Sequence, residues 1–152
     1  MSQKNCIVAQ SGGPTVAINA SLAGVVAGVL ASGEFDTCYG SLNGITGIWN
    51  NSFLNLTEQA ASVGFIEQLK LSPAMYLGSC RHKLPDVEKD PEIYKTIFAR
   101  FDEMNIKAFF YKFTYNLTVT KGCREKEGQL FKGCHKHIFP FLQLFQCFFG
   151  IT

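Results

Sequence analysis

Residues 112–152 contain no alanine, no serine and no aspartate, although residues 1–111 hold eleven alanines and nine serines. Other absences run through the whole chain. No stretch of about 20 apolar residues exists, which argues against a helix spanning a bilayer. The N-terminus shows no secretion signal: Met1-Ser2-Gln3-Lys4-Asn5 leads into a short apolar run broken at Gln10 and Ser11. The six cysteines (Cys6, Cys38, Cys80, Cys123, Cys134 and Cys147) include no C-x-x-C pair. They are expected to be reduced packing residues of a cytoplasmic α/β domain. A large charge of either sign is also missing. The formal net charge of +2 gives no basis for a nucleic-acid partner, and neither nucleic acid nor membrane is expected as a ligand.

What is present describes a globular domain, with 47% hydrophobic and 17% charged residues in 152. The average conceals two compositions. Residues 1–111 carry eight basic against ten acidic residues, a net of −2; residues 112–152 carry six against two, a net of +4. The second stretch also holds seven of the fourteen phenylalanines and two of the three histidines. One evolved domain seldom changes vocabulary so sharply. The boundary is placed near Tyr111–Lys112, between a domain over 1–111 and an unrelated, Phe-rich basic tail over 112–152.

Residues 1–111 alternate between strand and helix patterns. Cys6–Ala9 is a short apolar strand ending in the turn formers Ser11-Gly12-Gly13-Pro14. Thr15 to about Leu30 carries no charge and fits a helix packed on a sheet, with Gly33 as its stop. Asp36–Gly40 is expected as a second strand, and Leu42–Asn51, rich in Gly and Asn, as a loop. Thr57–Leu69 is expected as one helix capped by Thr57, with acidic Glu58 in its first turn. Ala74–Leu77 is expected as a third strand. Asp90-Pro91 marks a helix start, and Ile93, Ile97, Phe98 and Phe101 then share one helical face. Ala108–Tyr111 suits a central strand. Strands separated by helices imply right-handed βαβ units around a parallel sheet.

In the tail, Phe113–Thr120 alternates enough for a strand, Lys121–Lys136 is basic and loop-like, and Ile138–Ile151 is strongly apolar. Cys123, Cys134, His135 and His137 carry metal-binding groups, but the ten-residue gap between the cysteines is not the paired spacing of a structural zinc site.

Two loops carry candidate chemistry. Gly12 and Gly13, between the first strand and first helix, let backbone amides approach an anion closely. The helix that follows aims its unpaired N–H groups and positive dipole end at the same place. The loop lacks the GK[ST] ending of a Walker motif and the spacing of a dinucleotide fingerprint, so it also reads as a simple tight turn. The second loop is Leu77-Gly78-Ser79-Cys80-Arg81-His82-Lys83-Leu84, expected at the same sheet edge. There Arg81 could fork onto phosphate oxygens and Lys83 could add charge.

The string Gln10-Ser11-Gly12-Gly13-Pro14-Thr15-Val16-Ala17-Ile18-Asn19-Ala20-Ser21 resembles the opening of the 6-phosphofructokinase family. Its GGPT followed by an Ile-Asn pair is more similar to the pyrophosphate-using branch. Tyr39-Gly40-Ser41-Leu42-Asn43-Gly44-Ile45-Thr46-Gly47 resembles the family's glycine-rich segment after the second strand, and Leu77-Gly78-Ser79-Cys80-Arg81 its LGS-x-R. The matches stand in the family's order and cover nearly all of residues 1–111. The resemblance implies an incomplete Rossmann-like half domain, with a parallel sheet and helices on both faces. It implies phosphoryl transfer from ATP or pyrophosphate to fructose 6-phosphate in glycolysis, with Mg2+ as cofactor, by a homo-oligomer.

Carried over residue by residue, Gly12 and Gly13 would set main-chain amides against the phosphoryl donor. Arg81 would contact the transferring phosphate and stabilise transition-state charge, and His82 would line the same donor site.

The family's strand corresponding to Ala108–Tyr111 runs into an Ile-Gly-Gly-Asp/Asn-Asp-Ser loop that holds magnesium and the donor phosphates. Here Lys112-Phe113-Thr114-Tyr115-Asn116 follows instead. The Thr-Ile-Asp-x-Asp segment with the general base and the sugar-phosphate domain are also absent from this sequence. The expectation is therefore a donor-binding portion, interrupted after Tyr111 and inactive by itself. The alternative is a non-catalytic remnant that binds a phosphate ligand or a full-length homologue. Loss of half the sheet is expected to leave Phe109 and Phe110 uncovered.

Overall fold

The computed structural model describes residues 4–13, 16–80, 82, 90–113 and 116–121. The first strand, β1 (Asn5–Gln10), is buried along its whole length. It leads to α1 (Val16–Ser32), the charge-free helix, which ends where expected: Gly33 follows with φ of +61°, a left-handed stop. Then come β2 (Thr37–Ser41), α2 (Thr46–Trp49), β3 (Phe53–Asn55), α3 (Leu56–Ala60) and α4 (Phe65–Leu71). The described chain closes with α5 (Pro91–Glu103), β4 (Ile106–Phe113) and β5 (Asn116–Lys121).

The five strands form one sheet in the order β3-β2-β1-β4-β5. β1 lies parallel to both β2 and β4, so the expected parallel sheet is found in the three central strands. The edges differ, because β3 pairs antiparallel with β2 and β5 antiparallel with β4. Only positions 114 and 115 separate β4 from β5, far too few for the crossover that a parallel pair requires.

Helices cover both faces, as expected, and the alternation of β1 shows how. Cys6 and Val8 point into one core with Leu22, Val25, Val26 and Val29 of α1, Leu56 of α3 and Leu69 of α4. Ile7 and Ala9 point into the other, with Ile48 of α2 and Ile97 and Phe101 of α5. A bulge adjusts β4 to this plan. The pairing steps from Asn5↔Ile106 to Cys6↔Ala108, so Lys107 is an extra residue. Ile106 and Phe109 consequently share the α5 core, while Ala108 and Phe110 face α1.

Several sequence expectations are corrected here. Thr57–Leu69 is not one helix: residues 61–64 interrupt it, and Gly64, at φ of +81°, caps α4. The cap of α3 is Asn55, whose side chain accepts from the Glu58 amide; Thr57 instead accepts a 2.8 Å bond from the Cys38 amide of β2. Leu42–Asn51 contains the short helix α2. Ala74–Leu77 is not a strand, and Ala74 adopts φ of +61°. Phe109 and Phe110 are buried, the former against the Phe101 ring at 5.4 Å. Asp90 and Pro91 do open α5, though the Asp90 side chain makes no capping hydrogen bond. Cys6, Cys38 and Cys80 are free thiols, and the first two are buried packing residues. Among the described residues no helix is long and apolar enough to cross a membrane. Lys83, the segment 122–152 and its Cys123, Cys134, His135 and His137 lie outside the described residues.

Candidate functional site

The chain leaves β1 toward β2 on one side and returns to β4 on the other, so the strand order reverses at β1. In such sheets the crevice beyond the carboxyl ends of the diverging strands is where ligands bind. Ser11, Gly12 and Gly13 emerge there from β1, Asn43 and Gly44 follow β2, and Tyr111 stands near the end of β4 beside Ala9.

Three loops meet at this edge. Ser11 Oγ donates to the Cys80 carbonyl at 3.0 Å, and Ser79 Oγ donates to the Gly12 carbonyl at 2.8 Å. The Asn43 amide donates to the Leu77 carbonyl at 2.7 Å. Gly44 lies so close to both neighbours that a Cβ on it would stand 2.8 Å from the Gln10 carbonyl oxygen and 2.9 Å from Cys80 Sγ. Its φ of +65° also disfavours any side chain. The glycine-rich segment after β2 is therefore what permits the other two loops to touch.

Gly12 turns the backbone with φ of +99°, and among the described residues a Cβ on Gly13 would meet nothing within 4 Å. Packing among the described residues does not explain the absence of a side chain at Gly13. α1 starts three residues later, so its N-terminal dipole end is at this edge, in line with the anion reading.

His82 is exposed and sits edge-on to half-buried Trp49, with ring centroids 5.0 Å apart and an interplanar angle of 77°. This pairing ties the 77–82 loop to α2, and no motif in the sequence pointed to Trp49. Arg81 lies outside the described residues. Of the four site residues expected from the sequence, Gly12 and Gly13 are thus at the sheet edge, joined by hydrogen bond to the loop that carries His82.

Tyr111 was not among the expected site residues. Burial raises its hydroxyl above the ordinary tyrosine value of 10.0, Ser11 opposes this through a side-chain hydrogen bond, and Cys80 adds to the rise. The neutral phenol is thus favoured in the folded state. Its contribution is complete below a pH of about 10 and lost as pH rises through the higher folded value. Tyr111→Phe is expected to flatten the alkaline decline of the unfolding midpoint. Thermal melts between about pH 8 and 11 check this, and equal slopes for both proteins would exclude Tyr111 as the cause.

Comparison with known proteins decides the family. No protein-family model matches the chain. The pyrophosphate–fructose 6-phosphate 1-phosphotransferase of Halomonas elongata is 34% identical over 112 residues, 73% of this chain and 26% of the relative. That of Rhodospirillum rubrum is 35% identical over 111 residues, with the same shares. The solved pyrophosphate-dependent phosphofructokinase of Nitrosospira multiformis superposes with a TM-score of 0.64 at 33% identity, over 74% of this chain and 27% of that one. Nearly three quarters of the chain is an N-terminal fragment of the phosphofructokinase family. The chain spans about a quarter of the length of the curated relatives it matches.

The magnesium implied by phosphofructokinase membership does not fit the residues described. Ser11, Gly12, Gly13, Asn43, Gly44, Ser79, Cys80, His82 and Tyr111 offer no carboxylate, the preferred ligand of this hard cation. Among the described residues no group of three His, Cys, Asp or Glu is placed to hold a metal.

Proposed function

We propose that residues 1–111 of this chain are the donor-binding part of a phosphofructokinase, that they take pyrophosphate, and that the chain does not transfer it. The observation that carries this reading is the meeting of the three motif loops at the strand-order reversal, with open space over Gly13. In this reading the main chain at Gly12-Gly13 and the start of α1 hold the anion, Arg81 contacts the phosphate to be transferred, and His82 lines the same place. Pyrophosphate is preferred over ATP because the relatives are named for it and the Ile18-Asn19 pair resembles that branch. Fructose 6-phosphate would be the acceptor of the complete family enzyme. Residues 112–152 are a foreign segment that replaces the magnesium loop.

Calorimetric titration of the 152-residue chain with pyrophosphate tests the reading. Binding is expected, and Gly13→Ala should weaken it at least tenfold, because the new methyl group enters space left open by the protein. The unfolding midpoint should barely move, since that methyl meets nothing within 4 Å. No heat from the folded chain at millimolar pyrophosphate would overturn the proposal. Equal affinity of the Gly13→Ala variant would remove the anion from this loop.

A further inference from the structure

The Ile18-Asn19 pair is part of the string that resembles the pyrophosphate-using branch, yet nothing above gives Asn19 a task. It lies in the second turn of α1, fully buried, beside fully buried Gln10 at the end of β1. These two primary amides are bonded to each other and to a single stretch of chain. Gln10 Nε2 donates to Asn19 Oδ1 at 3.3 Å and to the Ile18 carbonyl at 3.1 Å. Asn19 Nδ2 donates to the carbonyls of Ser72 at 3.0 Å and Ala74 at 2.7 Å. Asn19 Oδ1 accepts from the Tyr76 amide at 3.0 Å, and Gln10 Oε1 accepts from the Leu77 amide at 3.1 Å.

Four backbone groups of residues 72–77 are therefore satisfied by two side chains. This stretch reads as a strand in the sequence, but β1 has β2 and β4 on its two edges and no place for it. The bond to the Leu77 amide is buried and the other three are part-buried, so these groups depend on the two side chains for partners that the sheet does not provide. The amides of Gln10 and Asn19 supply the ladder that the sheet does not. The same stretch leads directly into Gly78-Ser79-Cys80-Arg81-His82. Asn19 uses both donors and its acceptor, so no other side chain of its size replaces it; aspartate has no donor for Ser72 and Ala74.

We infer that Asn19 is a positioning residue for the loop that follows residues 72–77, acting with Gln10 to fix where Ser79, Cys80 and His82 stand relative to the Gly12-Gly13 turn. It touches no ligand. Its effect passes through the backbone of residues 72–77. The affinity part of the claim rests on the donor-site reading above; the positioning part does not.

The test uses the full 152-residue chain and the variants Asn19→Asp and Asn19→Ala. Three readouts follow the loop without any ligand: alkylation of Cys80 resolved by peptide mass spectrometry, emission of Trp49, the single tryptophan, and hydrogen exchange at the Tyr76 and Leu77 amides. Expected are at least tenfold faster alkylation of half-exposed Cys80, altered Trp49 emission through loss of its His82 contact, and pyrophosphate binding weakened tenfold or more. Buried Cys6 and Cys38 should remain as unreactive as in the parent, which shows that the core persists. Should both variants fail to fold, exchange in the unmodified chain decides: Tyr76 and Leu77 amides must be slowed at least a hundredfold although they belong to no strand. Free exchange at those amides, or variants with unchanged Cys80 reactivity and Trp49 emission, would overturn the inference. If the parent binds no pyrophosphate while Cys80 and Trp49 respond as stated, the donor-site reading fails and the positioning role stands.

Discussion

Phe101→Ala is expected to lower the unfolding midpoint by roughly 10–20 °C. Among the described residues Phe101 is the largest fully buried side chain, 1% exposed, and it belongs to the core between α5 and the sheet. Its ring stands 5.4 Å from Phe109 of β4 and 6.5 Å, nearly perpendicular, from Phe98 of its own helix. Removing it deletes the ring's transfer free energy and leaves a cavity that a sheet and a helix cannot close, together about 3–5 kcal/mol. A domain has only about 5–15 kcal/mol in total, so this single change removes a large share. Thermal unfolding followed by circular dichroism checks the value. A shift of only a few degrees would mean that α5 is held mainly by contacts other than Phe101. The neighbouring Phe98→Ala should cost clearly less, because Phe98 is only partly buried and flanks the core.

The central fold was legible because its signals are local. The apolar run of β1, the turn at Ser11–Gly13, the charge-free helix ending at Gly33 and the Asp90-Pro91 start each depend on residues adjacent in sequence. The same is true of the loops that meet at the sheet edge, since parallel strands put their carboxyl ends together. The misreadings have a common physical origin in partners distant along the chain. Ala74–Leu77 has the apolar character of a strand, but whether it joins the sheet depends on vacancy beside β1 and on two amides 50 to 70 residues earlier. Thr57 has the right chemistry for a cap, yet its hydroxyl is engaged by the β2 backbone and Asn55 takes the role. Phe109 and Phe110 were expected to be uncovered by the loss of half the sheet, but helices of the part that is present suffice: α5 and α1 bury one each. Trp49 and Tyr111 joined the site by the packing of α2 and β4, and no motif marks them.

A coupled assay of the 152-residue chain with pyrophosphate, fructose 6-phosphate and Mg2+ is expected to show less than about one part in 10^5 of the turnover of a full-length relative measured alongside. Two losses set this figure at their lower ends. On the proposed reading the chain lacks both a general base, which costs about 10²-fold or more, and the metal clamp on the transferring phosphoryl group, which costs about 10³-fold or more. The structural reason lies immediately after Tyr111. A phosphate- and metal-holding loop at the end of β4 needs carboxylates and backbone amides directed at the crevice. In this chain Lys112 pairs with Leu117 and Phe113 with Asn116, so the backbone there belongs to the β4–β5 hairpin. Residues 112–120 contain no acidic side chain that could restore the metal site. Pyrophosphate binding with no turnover is thus the expected combination, and it separates the donor-holding elements from the chemical step. Turnover above that level, abolished by Arg81→Ala, would overturn the proposed reading and show that groups of this chain supply the base and the charge.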